Sequence, residues 1–382
     1  GFIAHTSLMR QMSSPHRQES RRMIARKLIL FLATASLAAC VSAPRQVAQP
    51  RPPAPAPARI QPVPPPLALR ATNDVPQGLR DELAALWRDF PGKTGIAVRR
   101  IDGDWVIGQR GGELFPQQSV SKLWVTLAVL EKVDRGELSL DTQVTITRDD
   151  LTLFHQPLAA RVAREGVVQA SVGSLINEAL TASDNSANDA LLRTAGGPNV
   201  VNDFLRRKNL SNIRFGPGER LLQSGIAGVQ WRQELSAGRA FQAERARVPL
   251  DRRRNLLSAY VADPIDGASP EGIVDALARL ARGELLSPAS TRLMLDTLGR
   301  TRSGPNRLKA GVPPGWQFLH KTGTGQDLPP ISTGYNDVGI MTAPDGTRYA
   351  VAVMLAETTA GIPARMQLMQ AVSRAVGRWH QP

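Results

Sequence analysis

Two short strand-like runs near residue 100 and three more after residue 316 bracket about 180 residues of helical pattern. That segregation constrains the fold more than any other feature of the chain. Thr94–Ile101 and Trp105–Gln109 read as strands joined at Asp102-Gly103-Asp104, a turn signal. Trp316–Lys321, Asp337–Thr342 and Tyr349–Glu357 are the late strands. Between them, apolar residues at helical spacing predict helices over Ser119–Val133, Val172–Leu180, Ala187–Thr194, Asn199–Arg207, Gly272–Arg282 and Pro288–Leu298. Pro76–Phe90 and Ala364–Trp379 close the two ends. Strands set apart from a run of helices indicate α+β rather than alternating βαβ units. The expected architecture is an antiparallel five-stranded sheet flanked by helices. An all-helical lobe over about residues 115–300 is inserted between its halves, with the site in the cleft between lobes. Ser119–Val133 is apolar almost all round and is expected to be a buried central helix.

Composition excludes several function classes. One cysteine in 382 residues leaves no intramolecular disulfide framework and no Cys-based metal site. The five histidines are scattered without metal-ligand spacing, so neither a metal nor a cofactor is expected. The net charge of +14 suggests nucleic acid, but residues 1–39 carry six basic residues and one acid, and the remainder holds +9. No nucleic-acid motif accompanies it, so nucleic acid is not an expected partner.

The N-terminus reads as an export address. Arg21, Arg22, Arg26 and Lys27 precede an apolar stretch from Leu28 to Ala39, which ends in Leu37-Ala38-Ala39-Cys40. A charged start, a short apolar core and small residues before a cut describe a secretory signal. The placement of the sole cysteine resembles a bacterial lipoprotein signal, with Cys40 lipidated and the protein periplasmic and membrane-anchored. An ordinary signal cleaved nearby is the alternative. Met23 is a natural start for this signal, which leaves 1–22 as an upstream extension. Residues 40–69 are Pro-rich and read as an extended tether, and the catalytic domain is expected over 70–382, most simply as a monomer.

Three short motifs carry chemistry. Ser119-Val120-Ser121-Lys122 puts a hydroxyl and an amine one helical turn apart, on one face. A partly desolvated lysine beside other cations can lose its proton and activate such a serine. Ser183-Asp184-Asn185 lies at a break between helices, and Lys321-Thr322-Gly323 at the end of a strand, followed by Thr324. Each has a plainer reading on its own, as a helix cap or a strand end. Their order and spacing together change that.

S-x-x-K, S-D-N some sixty residues on, and K-T-G on a late strand form a set that resembles the class A β-lactamases and penicillin-binding proteins. Phe115-Pro116 before the serine, Ala195-Gly196-Gly197-Pro198, Gly283-Glu284-Leu285-Leu286-Ser287 and Pro314-Gly315-Trp316 extend the resemblance over roughly residues 77–380. Class A enzymes add a glutamate in E-x-x-L-N, thirty-six residues after the serine of S-D-N. That position is Glu219, in Glu219-Arg220-Leu221-Leu222-Gln223, with Gln223 where the family carries asparagine.

The resemblance implies a β-lactam substrate and an acyl-enzyme on Ser119. Lys122, or Glu219 through a water, would take its proton. Ser183 would relay a proton to the lactam nitrogen, and Lys321 would favour deprotonation of Ser183. Ser119 and Thr324 N–H groups would form the oxyanion hole. Asn185 would bind the substrate's side-chain amide, and Thr322, Ser183 and Arg307 its carboxylate. Glu219, with Gln223, would direct the hydrolytic water. The family's usual carboxylate-binding arginine on the strand after K-T-G falls, by counting, at Asn336; some family members instead carry an arginine nine residues before the tryptophan that precedes K-T-G, and by that resemblance the role falls to Arg307. Gly225–Asp266 is longer than the family's connection and would cover the site or cap its loop. A D,D-peptidase and a non-catalytic lipid-anchored binding protein are the alternative functions.

Overall fold

The computed structural model describes residues 75–382. Cys40, the signal and the whole Pro-rich segment lie outside the described residues. The chain opens with α1 (Gln77–Asp89), β1 (Lys93–Arg100), β2 (Val106–Gln109) and a short β3 (Phe115–Pro116). A 3-10 turn, Gln118–Ser121, leads into α2 (Lys122–Asp134). Then come β4 (Gln143–Thr147), α3 (Leu158–Glu165), β5 (Val167–Ser171), α4 (Val172–Thr181), α5 (Asn185–Ala195) and α6 (Pro198–Arg207). Next are α7 (Glu219–Ala227), α8 (Ala240–Arg247), α9 (Leu250–Ala262), a two-residue β6 (Gly267–Ala268), α10 (Pro270–Ala281) and α11 (Pro288–Gly299). The chain ends with β7 (Gln317–Gly323), β8 (Asp327–Leu328), β9 (Ile331–Thr342), β10 (Arg348–Thr358) and α12 (Ile362–Arg378).

Early and late strands do share one antiparallel sheet, in the order β2-β1-β10-β9-β7. A sixth strand, the short β8, pairs with β9 beyond the five expected. Both faces of the sheet are covered, and strand alternation divides the core accordingly. On β10, Ala350, Ala352, Met354 and Ala356 face the cluster shared with the helical lobe. Tyr349, Val351, Val353 and Leu355 face the cluster formed with α1 and α12. The alanines let α10 lie close against β1 and β10.

α2 is buried from Lys122 to Glu131, as its all-round apolar pattern requires. A helix that carries a lysine into such a core must give it polar partners, which identifies where the chemistry sits. The inserted lobe is not all-helical. β4 and β5 pair as an antiparallel ribbon from Gln143↔Ser171 to Thr147↔Val167, and β3 pairs with β6. The ribbon has only one buried residue on β4, so its alternation is weak in the sequence.

Gly225–Asp266 forms the end of α7, a 3-10 turn and the helices α8 and α9. Leu257 and Tyr260 of α9 pack with Leu222 and Ile226 of α7 and with Leu328 of β8. Phe241 of α8 packs with Leu153, Ala227, Val229 and Leu235. The insertion therefore braces the Glu219 helix from behind.

Candidate active site

Ser119 stands in the 3-10 turn just ahead of α2, not on the α-helix itself, and its side chain caps nothing. Lys122 Nζ lies 2.9 Å from Ser119 Oγ, 2.8 Å from the Ser183 carbonyl, 3.1 Å from Ser183 Oγ and 2.7 Å from Asn185 Oδ1. An ammonium has three protons for these four acceptors. A neutral amine accepts from the Ser119 hydroxyl instead. Burial moves the Lys122 pKa down to about 8, with Glu219, Asp184 and Asp189 opposing part of the shift. The amine is thus held near the point where it can take a proton.

S-D-N is a working corner. Ser183 has φ +57°, a left-handed backbone that a non-glycine residue adopts at some cost. Asp184 is the N-cap of α5, accepting from Ala187 N at 2.9 Å and, through its other oxygen, from Leu158 N at 2.6 Å. Asn185 is the first helical residue, with Nδ2 donating to the Leu153 carbonyl at 2.9 Å. These anchors turn Ser183 Oγ between two lysines, 2.9 Å from Lys321 Nζ and 3.1 Å from Lys122 Nζ. Lys321 has its pKa driven well down by burial and then by Lys122.

β7 delivers the K-T-G run edge-on to the serine. A Cβ on Gly323 would lie 2.4 Å from the Gln117 carbonyl and 3.3 Å from Ser119 N, so this close approach needs glycine. Thr324, next along, lines the same pocket as Ser119, Ser183, Asn185, Glu219, Gln223, Arg307 and Thr322. Arg307 donates to the Thr324 hydroxyl at 2.6 Å and to the Gly323 and Asn336 carbonyls at 2.9 and 2.8 Å. Its guanidinium sits 3.8 Å from the centroid of the Tyr335 ring, and among the described residues no carboxylate forms a salt bridge with it. Burial lowers its pKa, so an anion beside it would be strongly favoured. Counting placed the family's arginine at Asn336. The Asn336 side chain instead points into the protein, donating to the Pro116 and Gln117 carbonyls and accepting from Leu355 N. That position does not face the pocket.

Glu219 is the first residue of α7. Its N–H donates to Asp189, at 3.3 and 3.2 Å from the two carboxylate oxygens. Its own carboxyl accepts from Gln223 Nε2 at 3.0 Å. Desolvation raises the Glu219 pKa, against the pull of Lys122. Gln223 also donates to Gln118 Oε1 at 2.6 Å and accepts from Gln326 Nε2 at 2.9 Å. The structure thus brings every sequence-predicted site residue except Cys40 around one pocket or directly behind its wall.

Several residues escaped the sequence analysis. Phe154, His155, Ser303 and Gly304 line the pocket, and Ser303 Oγ lies 2.8 Å from Thr322 Oγ1. Gln118 and Gln326 are buried behind it. Their only sequence signal is adjacency, to Ser119 and to the end of Lys321-Thr322-Gly323-Thr324-Gly325.

The sequence profile described as Beta-lactamase enzyme family matches residues 78–379. The chain belongs to the β-lactamase enzyme family. A β-lactamase of Streptomyces albus G is 28% identical over 278 residues, spanning 72% of this chain and 76% of that one. β-Lactamase VEB-1 of Pseudomonas aeruginosa is 27% identical over 245 residues, 64% of this chain and 71% of its own. The solved class A β-lactamase built as the last common ancestor of Gram-negative bacteria (GNCA4) is 30% identical with a TM-score of 0.62, covering 79% of this chain and 98% of that one. TLA-1 extended-spectrum β-lactamase shares the fold, with a TM-score of 0.65 over 80% of this chain and 99% of that one, at 24% identity. The chain is a class A serine β-lactamase.

Proposed function

We propose that this β-lactamase hydrolyses penicillins and cephalosporins through an ester on Ser119 and a water activated by Glu219. The observation that carries the reading is the placement of two separate proton-handling groups around one hydroxyl. Lys122 Nζ is 2.9 Å from Ser119 Oγ, and Glu219 lines the same pocket from another helix. One step needs a base at the nucleophile, and the other needs a base across the acyl ester.

In acylation, Ser119 Oγ attacks the lactam carbonyl and its proton leaves to Lys122, or to Glu219 through a water. The carbonyl oxygen gains negative charge facing the Ser119 and Thr324 N–H groups, whose preorganisation lowers that barrier most. The C–N bond breaks as Ser183 Oγ protonates the nitrogen, and the two lysines flanking Ser183 resupply the proton. In deacylation, Glu219 removes a proton from water as the water attacks the ester carbonyl, and Ser119 departs with a proton returned. Arg307, Thr322 and Ser183 would hold the substrate carboxylate, which supplies the anion that Arg307 lacks. Asn185 would orient the side-chain amide. We further propose that the protein is exported and held at a membrane through lipidated Cys40, on the strength of its signal-like N-terminus alone.

The test is turnover of a chromogenic cephalosporin, followed by intact mass. Ser119→Ala should abolish both turnover and adduct. Glu219→Gln should form a covalent adduct that persists. A Glu219→Gln protein that turns over at the parental rate would overturn the assignment of the deacylation base.

A further inference from the structure

Gln326 has no role in the reaction as described, yet its side chain is almost fully buried just past the K-T-G strand. Its Nε2 donates to Gln223 twice, to the backbone carbonyl and to Oε1, both at 2.9 Å. Its Oε1 is buried without any partner. Burying an amide half unsatisfied is unfavourable, and leucine would fill the same space without that penalty. What the amide supplies that leucine would not is its pair of bonds to Gln223.

Gln223 is in turn held through both amide protons and its oxygen. One Nε2 proton goes to Glu219 Oε1, the other to Gln118 Oε1, and its Oε1 accepts from Gln326. The chain of bonds continues from Gln118 Nε2 to the Tyr260 hydroxyl at 2.8 Å, and from Tyr260 to Asp266 Oδ1 at 2.9 Å. The direction is fixed at both ends. Gln326 faces the Gln223 backbone carbonyl, which can only accept, and must present its NH2, while Asp266 can only accept when ionised. Gln223 therefore has one orientation available, with NH2 toward Glu219. Reversed, it would put a carbonyl oxygen against the carboxylate. The packing around the chain is correspondingly tight: a Cβ on Gly334 would lie 2.8 Å from Gln118 Cγ.

We propose that Gln326 is a positioning residue for deacylation: by donating to Gln223 it fixes the amide that aims the Glu219 carboxylate. It joins the end of β7, which supplies Thr324 to the pocket, to α7, which supplies Glu219. The inference rests on Glu219 being the deacylation base. It also assigns Gln223 as a strut: both amide protons are used on Glu219 and Gln118, and only the second lone pair of its oxygen is left for a water.

The experiment separates acylation from deacylation in the full chain, by stopped-flow and quenched mass measurements with a chromogenic cephalosporin. Glu219→Gln comes first. If it fails to stall the acyl-enzyme, the reading of Glu219 fails, independently of Gln326. If it stalls, Gln326→Leu should slow deacylation by about tenfold to a hundredfold, the scale expected for misaligning a reacting group by about an ångström. Acylation should stay within about twofold, so that kcat and KM fall together. Gln326→Asn, which keeps the amide but is a methylene too short, should behave likewise and guards against a folding defect in the leucine variant. In a Gln223→Leu background, Gln326→Leu should add nothing further to the deacylation defect. Equal losses in both steps, no loss in either, or a full additional defect on top of Gln223→Leu would overturn the proposal.

Discussion

Asp189 is the most unusual acid in the described residues. It is buried on α5 and accepts the Glu219 N–H, and desolvation together with the nearby Glu219 carboxylate raises its pKa to about 7. The sign follows from linkage. A carboxyl whose folded pKa exceeds its unfolded value binds its proton more tightly in the native state. Its stabilising contribution is full below the unfolded pKa and disappears as pH rises through about 7. A shift of that size corresponds to a few kcal/mol, on the order of 1.4 per unit. Asp189→Asn keeps an oxygen for the Glu219 N–H and removes the buried charge. The variant should be more stable than the parent at pH 8, with a flatter dependence of Tm on pH between 5 and 8; a steeper dependence would contradict the account. The Glu219 pKa is raised by burial, and an Asp189 carboxyl that stays protonated up to about pH 7 adds no charge against its ionisation. The acid limb of the deacylation rate should therefore lie above that of an ordinary glutamate in the parent and keep that position in Asp189→Asn. None of this was legible in the sequence, where Asp189 is one more acid on a helix. Ser119, Lys122, Ser183 and Lys321 were legible because their chemistry demands fixed residue types. The left-handed φ of Ser183 was not, since no local sequence rule places a serine there.

Among elements, legibility tracked how fully each one is buried. α2, α10 and the long strand β10 appear close to where the sequence placed them, because their burial leaves little choice of residue, whereas β9 begins at Ile331, six residues before the expected Asp337. The β4–β5 ribbon was missed because its outer face is solvent. The insertion was opaque for a related reason: α8 buries only Phe241 and α9 only Leu257, Tyr260 and Val261, so neither shows a continuous apolar stripe. Those few contacts still reach the site. Phe241 meets Phe154 edge-to-face at 5.3 Å between centroids, and Phe154 lines the pocket with a left-handed φ of +58°. Phe241→Ala should destabilise the protein by about 3–5 kcal/mol, the usual range for a buried phenylalanine, read as a shift in the denaturant midpoint. It should also free Phe154, so KM should change more for lactams with a bulky aromatic side chain than for the bare bicyclic nucleus. A uniform change across both substrates would show that the insertion supports stability without shaping the pocket wall.

At the scale of the whole molecule, the chemistry and the export address occupy separate stretches of chain. Every side chain assigned to the reaction or to its support lies between Gln118 and Gln326, drawn from both lobes and brought together by a sheet whose strands come from the two ends of the domain. The signal-like segment and Cys40 precede all of it, outside the described residues. An extended tether over residues 40–69, as the sequence leads one to expect, would reach on the order of 90 Å at about 3.1 Å per residue, enough to let a domain act away from the surface that holds it. Cys40→Ser in the full chain should then leave kcat and kcat/KM within about twofold of the parent and move activity from the membrane pellet to the soluble fraction. The net charge of +9 beyond residue 39 offers a competing route to the same pellet, through anionic headgroups. Salt separates the two, because headgroup attraction is screened and a lipid anchor is not. Activity that stays with membranes in Cys40→Ser but washes off in high salt would assign the attachment to charge and remove the lipid from the account.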